Sequence, residues 1–341
     1  MNQDSKLRVL VTGAGGFLGA EICRQGLSRG YDVCGLARGQ YPELEALGVE
    51  MRQGDIAEDG VVSDASLDCD AIFHVAAKAG AWGPKKEYER TNVLGTMKVI
   101  EACEKQGVSK LIYTSSPSVV HDGNDIEGGD ESLPYPQHFV ADYPRTKAEA
   151  ERLVLAAKSQ SLSVVALRPH LIWGPGDRHL IPRILDRAKR GRLRHLAPNK
   201  RVDSVYIEDA ARAHWDAYDH LHPSADCNGK AYFISQGEPW PIADLIEGIL
   251  AAYDLSCPRR TLSPKVAMWM GQSLELIYGG LGIKSEPIMT RFIAEQLSTA
   301  HWFNIEAAKR DLSYRPTRSI SEALEALREC ESSSTLFTLG S

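Results

Sequence analysis

The chain has 341 residues, enough for a doubly wound sheet that carries a second, smaller region. Its 43% hydrophobic and 25% charged residues are ordinary for a globular protein and exclude a disordered or collagen-like chain. A net charge of -6 offers no general attraction for nucleic acid, so we expect no nucleic-acid partner. The seven cysteines are scattered, without a Cys-x-x-Cys pair, which favours the reducing cytoplasm.

Membrane insertion is not expected. The first eleven residues are polar and then strand-like, unlike a signal peptide with its long apolar centre. The most apolar stretch, 265–283, is interrupted by Gln272, Ser273 and Glu275, so it falls short of the roughly 20 apolar residues of a transmembrane helix. Two interpretations of this stretch stay open, a contact with a membrane surface and a wall of a substrate cavity or core.

The first half of the chain alternates β-branched runs with helical patterns, which is typical of a parallel sheet with crossover helices. The predicted strands are Leu7 to Thr12, Asp32 to Ala37, Val49 to Gln53, Ala71 to Val75, Lys110 to Ser115 and Ser163 to Arg168. The predicted helices between them lie near 17–29, 91–106 and 142–160. This pattern predicts an α/β, doubly wound architecture.

The regular alternation ends after Pro169, where prolines punctuate loops around a basic helix. A strand at Val202 to Tyr206, a helix at about 208–221 and a strand at Ala231 to Ile234 are expected to return to the main sheet. We therefore predict a nucleotide-binding domain over 6–170 and 202–235. A smaller, mostly helical substrate domain is predicted over 171–201 and 236–331, with a last helix at about 319–331 and a flexible tail over 332–341.

A glycine-rich turn joins the first predicted strand to the first predicted helix. Gly13, Gly16 and Gly19 lie in that turn at a spacing of three residues. Glycine permits a sharp turn and lets a pyrophosphate approach the backbone, and the amides at the helix start face its charge. The context predicts a Rossmann-type dinucleotide site.

The end of the second strand bears on the choice between NAD and NADP. An acidic residue is expected there when the ribose hydroxyl of NAD is bound. Arg38 stands in that place, where its guanidinium can pair with the 2'-phosphate of NADP. We therefore expect NADP(H), with use of NAD(H) the less favoured alternative. Asp55, after the third strand, is either an acceptor for the adenine amino group or a turn aspartate that caps the next helix.

Tyr143 and Lys147 lie four residues apart at the start of a predicted helix, so both side chains leave the same face. A neighbouring ammonium and the positive nicotinamide would stabilise the phenolate, which lets the phenol act as acid or base near neutral pH. Ser116, at the end of the fifth strand, is the predicted partner of the substrate oxygen, with Ser115 or Thr114 as substitutes. Asn92 either steadies a helix or water chain near Lys147 or is a helix N-cap.

These motifs together resemble the extended short-chain dehydrogenases. The matching segments are Thr12-Gly13 to Gly19, Asn92-Val-x-Gly95-Thr96, Tyr113-Thr-Ser-Ser116, Tyr143-x-x-x-Lys147 and Arg168-Pro169-x-x-Ile-Trp-Gly-Pro-Gly176. Within that family the chain is similar to the 3β-hydroxysteroid dehydrogenase branch. Three further segments resemble the bacterial 2-alkyl-3-oxoalkanoate reductases of long-chain olefin biosynthesis: Lys78-Ala-Gly-Ala-Trp82-Gly83, Ser116-Pro-Ser-Val119 and Thr290-Arg-Phe-x-Ala-Glu-Gln296.

The resemblance implies that Pro169 lies beside the nicotinamide and that the 79–83 loop lies near the substrate. The cofactor contacts expected in all are Gly13, Gly16, Phe17, Leu18, Gly19, Arg38, Asp55, Ile56, Ala76, Ala77, Tyr143, Lys147 and Pro169. The expected catalytic residues are Tyr143, Lys147 and Ser116, and no metal is expected.

The expected reaction is reduction by NADPH of the ketone in a bulky, lipid-like 2-alkyl-3-oxoalkanoate to the 3-hydroxy acid. Two alternatives are oxidation of a sterol 3β-hydroxyl and, from another class, nucleotide-sugar epimerisation or dehydration. Arg291 is a candidate for the substrate carboxylate, and lining candidates are Trp82, Trp173, Phe292 and Trp302. A homodimer and an association with other enzymes of the pathway both stay open.

Overall fold

A computed structural model describes residues 7–257 and 260–338, with side chains to residue 332. Its strands are β1 (Arg8–Thr12), β2 (Asp32–Ala37), β3 (Glu50–Gln53), β4 (Ala71–His74), β5 (Lys110–Thr114), β6 (Ile126–Gly129), β7 (Ser163–Pro169), β8 (Ile172–Trp173), β9 (Arg201–Val202), β10 (Val205–Tyr206), β11 (Lys230–Ile234), β12 (Trp240–Pro241) and β13 (His301–Phe303).

Its helices are α1 (Phe17–Ser28), α2 (Pro42–Ala46), α3 (Val61–Ala65), α4 (Lys85–Tyr88), α5 (Gly95–Gln106), α6 (Asp142–Ala156), α7 (Leu180–Lys189), α8 (Ile207–His220), α9 (Ile242–Ala252), α10 (Pro264–Gly280), α11 (Arg291–Gln296), α12 (Glu306–Asp311) and α13 (Ile320–Thr338). A π-helical turn (Glu89–Leu94) joins α4 to α5, and a 3-10 turn (Pro117–Val120) follows β5.

Seven parallel strands form the main sheet in the order β11-β7-β5-β4-β1-β2-β3. Alternate residues of β1 point to opposite faces, so Val9 and Val11 join one apolar cluster while Leu10 joins the other. Each cluster is completed by helices, with Ile22 of α1 on one side and Val99 of α5 on the other. The predicted doubly wound fold is confirmed, and the carboxyl ends of the strands meet along one edge.

The strands predicted in the first half agree with the structure to within one residue at each end. The helix predicted at 91–106 is different, because helical structure begins earlier, at Lys85, and passes through the π-helical turn before α5. The helix predicted at 142–160 ends at Ala156. A glycine at the left-handed φ of +71°, Gly107, ends α5 where an L side chain would be strained.

The prediction of one strand from Val202 to Tyr206 is wrong. The segment breaks into β9 and β10, which belong to different small sheets, and only β11 joins the main sheet as expected. Asp203 interrupts the strand because its carboxylate turns to accept a hydrogen bond from the Phe303 amide at 2.8 Å. That contact attaches the segment to β13 instead.

A four-stranded sheet in the order β12-β9-β13-β6 was not predicted. It pairs β6, from the first half of the chain, with β13 from the C-terminal region, so the predicted substrate region is not helical throughout. The division into two domains stays a prediction. Its first boundary, at residue 6, lies outside the described residues. The same is true of residues 339–341 of the tail and of the first six residues of the chain, which were part of the prediction about a signal peptide. The tail is helical as far as Thr338, and its flexibility stays a prediction.

No helix in the described part of the chain is long and apolar enough to span a membrane. The stretch predicted to touch either a membrane surface or the substrate cavity forms α10. One side of α10 packs on α11 through Ala267 and Gly271, whereas Trp269 and Leu276 on another side are exposed. These contacts leave both interpretations of the stretch open.

Candidate active site at the carboxyl edge of the sheet

The glycine turn lies against the carboxyl ends of its neighbouring strands. The Gly13 amide donates to Leu36 O at 2.8 Å, which fixes the turn to β2. Gly13 has a φ of +71°, and a Cβ there would lie 2.8 Å from the backbone of Ala76. A Cβ on Gly19 would lie 2.2 Å from Gly13 O, so α1 packs directly on the turn. The backbone at both positions leaves no room for a side chain, as a pyrophosphate cradle requires.

The start of α1 has the character of an anion site. Gly16 precedes the helix in an extended conformation, and no side chain caps the first turn. The amides of Phe17 and Leu18 therefore belong to the first turn of the helix, where backbone donors have no intrahelical acceptor. This donor set fits the pyrophosphate of a dinucleotide, and the contacts expected at Gly13, Gly16, Phe17, Leu18 and Gly19 stay predictions.

A buried hydrogen-bond network that the sequence did not predict holds this edge together. Thr12 Oγ1 lies 2.8 Å from His74 Nδ1 and accepts from the Ala76 amide at 3.2 Å, which joins β1 to β4. His74 Nε2 lies 2.9 Å from Thr96 Oγ1 on α5. Burial lowers the pKa of His74 to about 3, so the imidazole is neutral and serves as a link. The run of small residues at Ala76 and Ala77 follows this network directly.

Arg38 lies at the carboxyl end of β2, and its side chain is exposed. Its carbonyl accepts a hydrogen bond from Gln53 Nε2 at 2.9 Å, which joins the end of β2 to β3. An aromatic residue that the sequence did not indicate lies close by: the ring of Tyr41 covers Gly15, where a Cβ would lie 2.0 Å from Tyr41 Cζ. Only the absence of a side chain at Gly15 could have indicated such a contact.

The helix-capping alternative for Asp55 is wrong, because α3 has Gly60 as its N-cap and no side-chain cap. Asp55 instead closes a turn. Its Oδ1 accepts from the Ala57 amide at 2.9 Å, and its other oxygen pairs with the Arg90 guanidinium. Burial opposes ionisation of Asp55, but the Ala57 amide and Arg90 outweigh it and lower the pKa of the carboxyl. Ile56, the next residue, is buried against Gly95. A contact from Asp55 or Ile56 to the adenine stays a prediction.

The three predicted catalytic residues come together at the end of β5. Lys147 is 2% exposed, and its Nζ donates to Thr114 O at 2.6 Å and lies 4.2 Å from the centre of the Tyr113 ring. Burial raises the pKa of Tyr143, and a hydrogen bond with Ser116 offsets part of that rise. Pro169 ends β7, which pairs with β5, so it lies at the end of the neighbouring strand. Its contact with the nicotinamide stays a prediction.

Asn92 is not a helix N-cap, because it lies inside the π-helical turn. Its side chain bridges two segments: Oδ1 accepts from the Lys78 amide at 2.7 Å, and Nδ2 donates to Lys78 O at 3.1 Å and to Thr146 Oγ1 at 2.9 Å. The wide turn places this amide between the loop after β4 and the helix that carries Lys147. Asn92 therefore steadies α6, the first of its two predicted roles.

A buried ion pair stands one helical turn beyond Lys147, and sequence reasoning missed it. Arg168 makes two hydrogen bonds to Glu151, at 2.6 and 3.0 Å, and both side chains are almost wholly buried. The Tyr135 hydroxyl donates to the same carboxylate at 2.7 Å. Burial opposes the charge on Glu151, but Arg168 and its other donors outweigh it and keep the pKa of the carboxyl low. The pair joins α6 to the residue before Pro169.

Most of the sequence matches a known protein family. A profile of the 3-beta hydroxysteroid dehydrogenase/isomerase family matches residues 10–264, a range that includes the glycine turn, Ser116, Tyr143 and Lys147. The chain belongs to this family. That membership confirms the predicted class of oxidoreductase, which acts on hydroxyl and carbonyl groups with a nicotinamide dinucleotide.

Three bacterial relatives are similar to this chain over most of their length. A 2-alkyl-3-oxoalkanoate reductase of Stenotrophomonas maltophilia is 47% identical over 94% of this chain and 98% of the relative. A 2-alkyl-3-oxoalkanoate reductase of Shewanella oneidensis is 46% identical over 93% of this chain and 84% of the relative. A 3 beta-hydroxysteroid dehydrogenase/Delta 5→4-isomerase of Mycobacterium tuberculosis is 33% identical over 93% and 88%. The predicted resemblance is confirmed.

Solved structures of sugar-nucleotide enzymes share the fold. A UDP-glucuronic acid 4-epimerase of Bacillus cereus in complex with UDP-glucuronic acid and NAD has a TM-score of 0.73 and 23% identity, covering 95% of this chain and 98% of its own. A UDP-glucose 4-epimerase of Thermotoga maritima has a TM-score of 0.74 and 18% identity, covering 96% and 100%. At these identities the comparison concerns the fold alone, and the sheet and helices match the extended short-chain dehydrogenase architecture.

The lining candidates of this 3-beta hydroxysteroid dehydrogenase family member lie in different surroundings. The ring of Phe292, on α11, lies 6.4 Å from that of Tyr143. Trp82 packs edge-on against Tyr278 of α10 at 6.2 Å, and its indole donates to Ile283 O at 3.1 Å. Trp173 is fully buried against Tyr206, so it belongs to the core rather than to a cavity wall.

The structure does not favour the prediction that Arg291 binds the substrate carboxylate. Its guanidinium Nε donates to Glu275 at 2.6 Å, and its backbone amide donates to the other oxygen of the same carboxylate at 2.7 Å. The charge of Arg291 is thus already paired across α10 and α11. Trp302, the remaining lining candidate, packs against Gly128 of β6, where a Cβ would lie 2.9 Å from its ring.

The buried position of Lys147 predicts that cofactor binding is linked to proton uptake. Burial lowers the pKa of Lys147 to about 7, so the amine is largely neutral at pH 8 in the free protein. Ribose hydroxyls and phosphate anions favour the ammonium, so binding raises that pKa. We expect titration calorimetry in buffers of different ionisation enthalpy to show proton uptake on binding that is larger at pH 8 than at pH 6.

The control for this measurement is Lys147→Met, which removes the titrating group while keeping a long side chain. Proton uptake at pH 8 should disappear in the variant, although its affinity also falls. Wild-type protein that bound NADPH at pH 8 without taking up a proton would contradict the linkage.

Proposed function

We propose that the protein is an NADP-dependent reductase that converts 2-alkyl-3-oxoalkanoates to 2-alkyl-3-hydroxyalkanoates. The observation that carries the proposal is the meeting of Tyr143, Ser116 and Lys147 at the end of β5, beside the glycine turn. The substrate class is supported by the two relatives with 47% and 46% identity, which are named for this reaction. The Phe292 ring beside Tyr143 suits a substrate with alkyl chains.

In this mechanism Ser116, Tyr143 and Lys147 orient the substrate, transfer the proton and hold the cofactor. Bound NADPH supplies the hydride that reaches the ketone carbon. Ser116 donates a hydrogen bond to the ketone oxygen and orients it toward the phenol, and Tyr143 gives that oxygen its proton. Lys147 holds the ribose hydroxyls and stabilises the phenolate that forms when Tyr143 has given up its proton. In the reverse direction Tyr143 accepts the proton of the alcohol.

Residues of the chain that would hold the cofactor occupy three strand ends. Gly13, Gly16 and the first amides of α1 would bind the pyrophosphate, and Arg38 would pair with the 2'-phosphate. Pro169, at the end of β7, would border the nicotinamide. No nucleic-acid or membrane-spanning element is part of the proposal, and the proposed compartment is the cytoplasm.

A substrate panel tests the proposal. NADPH and NADH oxidation should be followed with 2-alkyl-3-oxoalkanoates, and steroid and nucleotide-sugar substrates should be tested in parallel. We expect turnover of the β-keto acids with NADPH to exceed every other combination. Turnover confined to sterols would replace the acid with a steroid substrate, and turnover confined to nucleotide sugars would overturn the lipid assignment.

Arg38 should determine the choice of cofactor. Arg38→Ala removes a charge-assisted contact worth about 1.5–3 kcal/mol, so we expect the KM for NADPH to rise roughly 10- to 100-fold. The KM for NADH, which lacks the phosphate, should change little. Steady-state kinetics with both cofactors measure the difference.

Arg52→Ala is the matched control, because Arg52 lies on the adjacent strand β3 and its guanidinium pairs with Glu50. This variant should keep the wild-type KM for both cofactors. An equal change for NADPH and NADH in Arg38→Ala would count against a phosphate contact at this position.

A further inference from the structure

A small cavity that the proposed mechanism does not use lies beside Ser118, two residues after Ser116. Its walls include Ser118 and His121 from the segment after β5, Pro144 beside Tyr143, and Phe292 and Glu295 from α11. Its volume is about 20 Å³, which is room for one water molecule. Asp122 and His138, both exposed, also line it, so the cavity lies directly beneath the protein surface.

His121 is the feature that indicates an occupant. The side chain is 9% exposed, and neither ring nitrogen has a hydrogen-bond partner among the residues that the structure describes. A buried polar group without a partner costs about 1–3 kcal/mol. Burial lowers the pKa of His121, so the ring is neutral at pH 7 and presents one donor and one acceptor. A water in the cavity satisfies either nitrogen.

Hydroxyl groups connect this cavity to the phenol. Ser118 Oγ lies 2.9 Å from Ser116 Oγ, and the Ser118 amide donates to Ser116 Oγ at 3.2 Å, which holds the two side chains together. Ser116 in turn lowers the pKa of the Tyr143 phenol through a side-chain hydrogen bond. A hydroxyl donates and accepts at once, so this row can pass a proton without any group holding a charge for long.

A second route for the proton, past Lys147 and Asn92, has fewer hydrogen-bond donors that are still available. Both N–H groups of Asn92 are already used, on Lys78 O and Thr146 Oγ1, and its oxygen accepts from the Lys78 amide. The Lys147 amine has one donor committed to Thr114 O at 2.6 Å. Asn92 therefore has no donor left for a water chain.

We propose that the cavity binds one water and that Ser118 and this water return to Tyr143 the proton that it gives to the substrate. The phenolate takes a proton from Ser116, Ser116 takes one from Ser118, and Ser118 takes one from the water. The water is reprotonated from solvent past Asp122, His138 and Glu295. The O–H bonds broken and formed balance, and each ketone reduced consumes one solvent proton. This inference rests on the proposed role of Tyr143.

Ser118→Ala separates a proton route from a structural role. In the first turnover Tyr143 already carries its proton, so the rate of NADPH oxidation in a stopped-flow single turnover should stay within about twofold of wild type. Steady-state kcat should fall roughly tenfold, which produces a burst, and the solvent deuterium isotope effect on kcat should increase. Raising the concentration of a small acidic buffer such as imidazole should restore kcat. His121→Phe, which fills the cavity, should likewise keep the rate of the first turnover and lower kcat.

Ser109→Ala is the matched control, since Ser109 precedes the opposite end of the same strand and donates only to Asp70 O at 3.3 Å. It should change neither rate. An equal fall of the first-turnover rate and of kcat in Ser118→Ala would show that Ser118 only positions other groups, and it would overturn the proton route. An unchanged kcat would also overturn the route. Tyr143→Phe distinguishes failure of the proton route from failure of the proposed function. If Tyr143→Phe is inactive while Ser118→Ala is unaffected, only the route is rejected. If Tyr143→Phe is active, Tyr143 is not the acid and the proposed function is contradicted.

Discussion

Tyr143→Phe is expected to lower kcat by about 10²- to 10⁴-fold while leaving cofactor affinity within a few-fold of wild type. The phenol is the one group at the end of β5 that is both hydrogen-bonded to Ser116 and placed on the same helix face as Lys147. Phenylalanine keeps the ring that packs against Phe292 and removes only the proton. Steady-state kinetics and a cofactor-binding titration measure the two effects.

The control for that experiment is Tyr253→Phe. Tyr253 is a phenol in a different part of the chain, where its hydroxyl donates to Glu331 at 3.0 Å across α9 and α13. This variant should retain wild-type kcat. Turnover by Tyr143→Phe within tenfold of wild type would require another proton donor, and the proposed chemistry would then be wrong.

Glu151→Gln should destabilise the protein by about 3–5 kcal/mol, because it leaves the buried Arg168 guanidinium without its counter-charge. Urea denaturation followed by circular dichroism measures the loss. The pKa of Glu151 is lowered in the folded protein, so its contribution is present above the ordinary glutamate pKa and is lost as the pH falls through the folded value. The difference between wild type and variant should therefore narrow in acid.

A matched pair on the same helix provides the comparison. Glu149 is 3.5 Å from Arg145, and both side chains are substantially exposed, so Glu149→Gln should cost less than about 1 kcal/mol. The double variant Glu151→Leu/Arg168→Leu should recover much of the stability, because it removes the stranded charge together with its partner. Equal effects of Glu151→Gln and Glu149→Gln would show that burial does not strengthen the contribution of the Glu151–Arg168 pair.

Several features were predictable because each depends on residues that are close in the chain. The strand before Gly13 and the helix after it define the glycine turn, and a helical spacing of four places Tyr143 and Lys147 on one face. The parallel sheet follows from the alternation of buried runs and helical patterns. Each of these can be inferred locally, since the period of a strand or helix and the conformational freedom of glycine are properties of short segments.

The features that were missed depend on contacts between distant segments. Glu151 and Arg168 meet only after α6 packs on β7, and nothing in the spacing of a glutamate and an arginine indicates a pair. The strands β6 and β13 are too short to show a period, and they pair although they are far apart in the chain. Asn92 was given two roles, and the contacts of its side chain with Lys78 and Thr146 decided between them.

The sequence by itself determined the sheet, the glycine turn and the residues that are candidates for proton transfer, because short-range geometry fixes which side chains share a face or a turn. Only the tertiary structure decided what surrounds them. It buried Lys147, paired Asp55 with Arg90 and Arg291 with Glu275, and left His121 facing a cavity. Burial and pairing are sums over neighbours from many segments, and they set the charge that each group carries.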